Sequence, residues 1–258
     1  MEIEQAVLAC KNAVVAAGKA ALPFFQSSSL RVEDKSDGSP VTQADKAAEV
    51  AILECIRKVA AKDAILTEES GYLQGDQDKL WIVDPLDGTR GFSRGGAFWG
   101  PLVAYEQDGT VVAGAIAMPV MGDIYWAGKG LGCFHNDKAI QLTSQTEWKK
   151  ATLSCGEMSR LLTINEAPGI IDLITTAASV RCLGDVAAVA MVLSGRADLW
   201  IEAGVKTWDL APHKILLEEA GGIFTDLRGE LNIRNGDAIG GSVLLHDYAL
   251  AIVKKLKR

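Results

Sequence analysis

The chain has 258 residues, 48% of them hydrophobic and 23% charged, and a formal net charge of −7. That length buries a core without help from disulfides or a structural metal, and the acidic balance argues against nucleic acid and anionic membranes as general partners. Five cysteines without a C-x-x-C pair indicate reduced thiols in the cytoplasm rather than a disulfide framework, and the histidines His135, His213 and His246 lie too far apart for zinc-type spacing. Each histidine reads as a surface or capping residue.

The first residues are acidic where a signal peptide would be basic, and Lys11 and Lys19 interrupt the apolar positions. A long amphipathic helix over 3–25 follows from this pattern, with no membrane span. The polar stretch 26–39 reads as a mobile loop. Thr42 followed by Asp45 is a capping-box pattern, and Ile52, Ile56 and Val59 continue one apolar helical face. A strand at 64–67 leads into Glu68-Glu69, and a second at 80–84 leads into Asp84.

From about 98 to 142 the pattern changes to strands joined by tight turns at Asp108-Gly109, Gly122-Asp123 and Asn136-Asp137. The second half alternates: a strand at 178–183, a helix from Gly184-Asp185 to Gly195, and a strand at 197–202. A helix then runs from about Trp208 to Gly221-Gly222, followed by strands at 222–226 and 238–245 and a terminal helix. Helices, a meander and alternating units together predict layered sheets and helices. Residues 1–258 read as one domain, with halves of about 1–145 and 146–258 sharing one cleft.

Chemistry concentrates in the run Trp81-Ile82-Val83-Asp84-Pro85-Leu86-Asp87-Gly88-Thr89. An apolar strand delivers two aspartates to its carboxyl end, where α/β proteins place ligands. The turn after them offers backbone N–H groups to an anion. Carboxylates beside an anion site require cations between them, and hard oxygen ligands with room for water favour Mg²⁺. The expectation is a metal-dependent phosphatase. Haloacid-dehalogenase-type enzymes use D-x-D-G-T, with one residue between the aspartates rather than two. A nucleotide kinase is disfavoured by the lack of a G-x-x-x-x-G-K-[ST] loop.

Glu68-Glu69-Ser70, Asp84-Pro85-Leu86-Asp87-Gly88-Thr89, Trp208-Asp209-Leu210-Ala211 and Glu219-Ala220-Gly221-Gly222 together resemble the inositol monophosphatase superfamily. The resemblance implies an αβαβα sandwich, usually homodimeric, that hydrolyses small phosphomonoesters by metal-activated water with about two or three Mg²⁺ ions per site. It implies Glu68, Asp84, the Leu86 carbonyl, Asp87 and Asp209 as metal ligands. Asp45 and Thr89 would position the attacking water beside Glu68, and the Gly88 and Thr89 amides would hold phosphate. Lys35 falls in the segment matching the family's mobile metal-site loop.

On the leaving-group side the candidates are Asp87, Asp185, Glu202, Asp209 and Arg94. Glu202 matches the family's hydroxyl-contacting acid, while Asp185 stands where inositol-type members carry Ser or Thr. Two acids there suit a cationic alcohol, so the Gly184-Asp185 step and Arg94-Gly95 favour the histidinol-phosphatase branch over inositol-1-monophosphatase. The bland alternative is that Asp185 caps the following helix. Phosphatases of 3′-phosphoadenosine nucleotides or fructose 1,6-bisphosphate, and an inactive metal-binding scaffold, are the remaining readings. Trp99, Trp126 and Trp200 read as core, and Phe92, Arg94 and Trp99 follow the aspartate turn closely enough to line the cleft.

Overall fold

A computed structural model describes residues 1–36 and 38–256. Helix α1 (Ile3–Ala21) ends in a single 3₁₀ turn, Leu22–Phe24. Ile3–Phe24 is long and apolar enough to cross a membrane, but its apolar face, including Cys10, Ala13, Val14 and Ala17, is packed inside the protein. The expected loop 26–39 instead contains β1 (Val32–Asp34), which pairs with β2 (Pro40–Thr42) as a small antiparallel ribbon. Helix α2 (Gln43–Val59) starts at the capping box read from Thr42 and Asp45. Ile52 and Ile56 are buried, whereas Val59 is exposed, so the apolar face stops one turn early.

The first sheet has eight strands. It is built from β3 (Asp63–Thr67), β4 (Gly71–Leu73) and β5 (Asp76–Asp87); then, beyond the short α3 (Thr89–Ser93), from β6 (Gly100–Gln107) and β7 (Thr110–Met118). β8 (Asp123–Gly128), β9 (Gly132–His135) and β10 (Lys138–Ile140) complete it, in the order β10-β9-β8-β7-β6-β5-β3-β4. Three of its hairpin turns are the predicted ones, and the turn at 129–131 between β8 and β9 was not read from the sequence. Asp108 and Gly109 between β6 and β7, and Asn136 and Asp137 between β9 and β10, adopt positive φ, which matches a tight hairpin turn to the strand twist.

The second sheet begins with β11 (Thr152–Cys155). Two helices the sequence patterns did not signal follow, α4 (Met158–Leu161) and α5 (Ala167–Thr176), then β12 (Ser179–Cys182). After α6 (Asp185–Leu193) come β13 (Leu199–Ala203), α7 (Thr207–Glu219), β14 (Ile223–Thr225), β15 (Asp237–Gly241) and α8 (Val243–Lys255). The sheet order is β12-β11-β13-β15-β14. The strand predicted to reach residue 245 ends at Gly241, because α8 starts two residues later.

Three apolar clusters define the layers. α1 and α2 cover one face of the first sheet. Between the two sheets lie α6 and α7, whose Val189, Leu193, Leu210 and Leu216 share a core with Ile82, Leu102 and Ile116 of the first sheet and Trp200 of the second. α5 and α8 cover the outer face of the second sheet through Ile170, Leu173, Leu245 and Val253. The result is the αβαβα stack. The carboxyl ends of β3 and β5, strand β13 and the first turns of α2, α6 and α7 supply the acidic residues singled out in the sequence.

Candidate active site

The run 81–87 enters the site as a strand with Trp81, Ile82, Val83 and Asp84 buried. Its pairing with β6 breaks register between Asp84 and Asp87, so the residues between them leave the ladder. Asp84 Oδ1 accepts the Leu86 N–H at 2.9 Å and pins this bend. Gly88 follows at φ 90°, a conformation that suits glycine. A side-chain methyl on Gly88 would meet the Phe98 carbonyl oxygen at 2.8 Å and Asp185 Oδ2 at 3.2 Å. The turn is therefore closed to larger residues on both conformational and steric grounds.

Asp84, Asp87 and Asp209 converge, with one ligand oxygen from each lying within 4.8 Å of the others. Asp209 reaches this point from the third position of α7, where its Oδ2 accepts the Lys206 N–H at 2.7 Å. Burial, reinforced by the Glu68, Asp87 and Asp209 charges, holds the Asp84 carboxyl well above the usual range. Burial and the charges of Asp185, Asp209, Glu68 and Glu202 do the same to Asp87. Asp209 is pushed up to about 7, again by burial first and then by neighbouring carboxylates. Acids forced together in this way are relieved by a divalent cation, and an all-oxygen donor set fits a hard one.

Glu68, at the end of β3, adjoins this group. Lys35 Nζ donates to Glu68 Oε1 and Glu69 Oε1, each at 2.7 Å. The segment matched only loosely in the sequence thus reaches the site through a lysine bridging two glutamates.

Asp45 and Thr89 meet beside the bend. Asp45 is fully buried, and its Oδ2 accepts the Thr42 N–H at 2.8 Å and the Thr42 hydroxyl at 2.6 Å. Its other oxygen, Oδ1, accepts from Thr89 Oγ1 at 2.9 Å. The Leu86 carbonyl lies 3.0 Å from the same hydroxyl. Burial raises the Asp45 carboxyl, opposed by the bonds from Thr42 and Thr89.

The other wall is a cavity of about 60 Å³ lined by Asp87, Glu157, Asp185, Trp200, Glu202, Val205, Asp209, Leu210 and His213. Glu202 is buried and its Oε1 accepts the Glu157 N–H at 2.9 Å; burial pushes its carboxyl up to about 8. Its carboxylate occupies the space any side chain at Gly156 would need. Asp185 stands at the mouth, its carboxyl raised to about 6 by lost hydration and by Glu157. It does not cap α6: the capping position is Gly184, no side chain caps that end, and Asp185 itself has φ 47°.

Several expectations need correction. Phe92 and Trp99 do not line the cleft; both are fully buried, meet edge to face and pack against Phe25 in the core under α1 and α2. Arg94 is exposed and does not border the cavity. Trp126 is only half-buried and stacks on Phe134. The histidines are not surface residues as a group: His213 and His246 are 2% exposed, His246 bonding Thr225 Oγ1, and half-buried His135 pairs with Asp123. Glu157, Trp200 and His213 are cavity residues that the motifs did not reveal. Glu157 alone had a signal, as an acid just past an apolar strand.

The profile of the inositol monophosphatase family matches residues 3–258. The chain belongs to that family. It is therefore a phosphoric monoester hydrolase with the family's layered fold, and the family's enzymes are generally Mg²⁺-dependent. A histidinol-phosphatase of Mycobacterium tuberculosis is 34% identical over 231 residues, 88% of this chain and 89% of that protein. An inositol-1-monophosphatase of Mesorhizobium japonicum is 33% identical over 238 residues, 90% of this chain and 89% of that protein. Among solved structures, an inositol monophosphatase from Anabaena (Nostoc) superposes with a TM-score of 0.86 at 30% identity, covering 98% of this chain and 96% of that one. The extragenic suppressor protein suhB of Bartonella henselae gives 0.88 at 28% identity, covering 94% and 96%.

Proposed function

We propose that this family member is a Mg²⁺-dependent histidinol-phosphate phosphatase, working in the cytoplasm as a homodimer. The observation that carries the substrate choice is the pair of acids, Asp185 and Glu202, in the cavity that Asp87 and Asp209 also line. A cationic leaving alcohol answers the Asp185 charge and favours the ionised form of Glu202, whereas a neutral polyol does neither. Inositol 1-phosphate is the second reading, supported by the Mesorhizobium relative at nearly equal identity.

Glu68, Asp84, the Leu86 carbonyl, Asp87 and Asp209 would hold about two or three ions. Bound Mg²⁺ would activate the attacking water and offset charge on the phosphate and the departing oxygen. The chain's own groups do the rest. Thr89 Oγ1 accepts the water proton as it passes its own to Asp45 Oδ1, the arrangement its 2.9 Å hydrogen bond favours. The Thr42 bonds hold Asp45 in the orientation needed to receive that proton. The water oxygen bonds to phosphorus as the ester oxygen leaves, so no protein nucleophile is required. Gly88, with no side chain, lets the phosphate approach the backbone of the turn.

A substrate panel tests this reading. Histidinol phosphate, inositol 1-phosphate, fructose 1,6-bisphosphate and a 3′-phosphoadenosine nucleotide are compared at equal Mg²⁺, with phosphate release measured. Histidinol phosphate should lead. A preference for inositol phosphate by about tenfold, 1.4 kcal/mol in the barrier, would replace the first reading with the second. No release from any ester would favour the inactive scaffold.

A further inference from the structure

His213 and Trp200 are polar side chains that the chemistry above leaves unused. His213 is 2% exposed and Trp200 1%. Among the described residues, no hydrogen-bonding group partners Trp200 Nε1 or either ring nitrogen of His213. The two rings meet edge to face at 5.5 Å, and both border the cavity that Asp87, Asp185, Glu202 and Asp209 share. Buried polar groups in folded proteins are nearly always partnered, so three orphaned nitrogens around one cavity call for a ligand.

Position in the fold says how that ligand lies. His213 is one turn beyond Asp209 on α7, hence on the same face and about 6 Å further along the helix. Trp200 and Glu202 are two apart on β13 and share a strand face. A phosphate ester seated at Asp87 and Asp209 would therefore meet Glu202 and Asp185 first and His213 and Trp200 last.

We propose that His213 and Trp200 form the specificity-determining far end of the leaving-group pocket, binding a substituent that both donates and accepts a hydrogen bond. Neutral imidazole has one donor and one acceptor nitrogen, and indole only donates. Burial holds His213 neutral by pushing its pKa down to about 3. An ammonium has no acceptor for Trp200 and an alkyl group has neither function. A hydroxyl or a neutral azole at the far end of the leaving group satisfies both residues. This inference rests on the phosphatase reading but not on the choice of substrate branch.

The test uses His213→Leu, apolar and of similar size, and Trp200→Phe in the full chain. The readout is the ratio of kcat/KM for histidinol phosphate, and separately for inositol 1-phosphate, to that for ethyl phosphate, whose leaving group is too short to reach His213. A tenfold or greater fall in one of these ratios in both variants is expected, without a lowered melting temperature for His213→Leu. Loss with histidinol phosphate identifies the azole, and loss with inositol phosphate the hydroxyl. Ratios within twofold of the unaltered protein would overturn the proposal, because a purely structural role lowers all three esters alike. Should the unaltered protein hydrolyse none of these esters, the phosphatase reading fails separately. Calorimetric binding of free histidinol and myo-inositol then decides: tenfold weaker binding of either in His213→Leu supports the subsite, and equal binding of both refutes it.

Discussion

Thr89 Oγ1 lies 2.9 Å from Asp45 Oδ1, while the opposite oxygen of the same carboxylate closes the start of α2 through Thr42. One carboxylate thus faces the reaction with one oxygen and the helix backbone with the other. Asp45→Asn keeps an oxygen for the Thr42 N–H but cannot take up the proton from Thr89. Turnover should fall by about 10²–10⁴, the range for loss of a general base, with little change in melting temperature. Steady-state kinetics and a thermal melt on the same sample check both halves.

Asp87 is crowded by Asp84, Asp185, Asp209, Glu68 and Glu202, and removing its charge relieves them. Asp87→Asn should abolish turnover. It should also raise the melting temperature of metal-free protein while shrinking the rise that Mg²⁺ produces. Comparable activity with Mg²⁺ in the variant would refute the placement of Asp87 among the metal ligands.

The raised carboxyls set a pH dependence with a definite sign. Asp185 near 6, Asp209 near 7 and Glu202 near 8 bind protons more tightly folded than unfolded, where such groups titrate near 4. Their stabilisation is complete below the unfolded values and is lost as pH rises through the folded ones. Protein in EDTA should therefore melt at a higher temperature at pH 5 than at pH 8, and added Mg²⁺ should narrow or invert that difference. A metal-free melting temperature that climbs from pH 5 to 8 would contradict the crowding.

Gly88→Ala places a methyl where φ is 90° and the Phe98 carbonyl oxygen is 2.8 Å away. The backbone strain alone is worth about 1–3 kcal/mol. Displacing the turn that joins Asp87 to Thr89 should cost about 10²-fold in kcat. Activity within threefold of the unaltered enzyme would show that the turn does not seat the phosphate.

Asp185→Asn keeps a residue that tolerates positive φ but removes the charge at the cavity mouth. The kcat/KM for histidinol phosphate should drop about tenfold, the size of one charge-assisted hydrogen bond, and that for inositol phosphate should change little. Equal losses with both would remove the argument for a cationic alcohol.

The parts of the site legible in sequence are those with local causes. Thr42 and Asp45 are three residues apart and read as a helix start, which they form. Asp84 to Thr89 read as a strand end and turn for the same reason. What escaped depends on distant pairing. Three-residue strands such as β1 and β4 exist only through their partners, and residues 156–177 carry helices too short for a clear period. His213 looked like a surface residue because its burial comes from two sheets closing over α7, which no window around it reveals. Phe92 and Trp99 follow the aspartate turn in sequence but point into the opposite core.

Asp45 and Asp209 each occupy the third position of a helix and accept the backbone N–H that opens it. A relative that had stopped hydrolysing esters would still benefit from both in assembling α2 and α7. Their persistence in a sequence therefore diagnoses foldability as much as catalysis. Thr89, whose hydroxyl closes no helix, is the more discriminating marker of an active member.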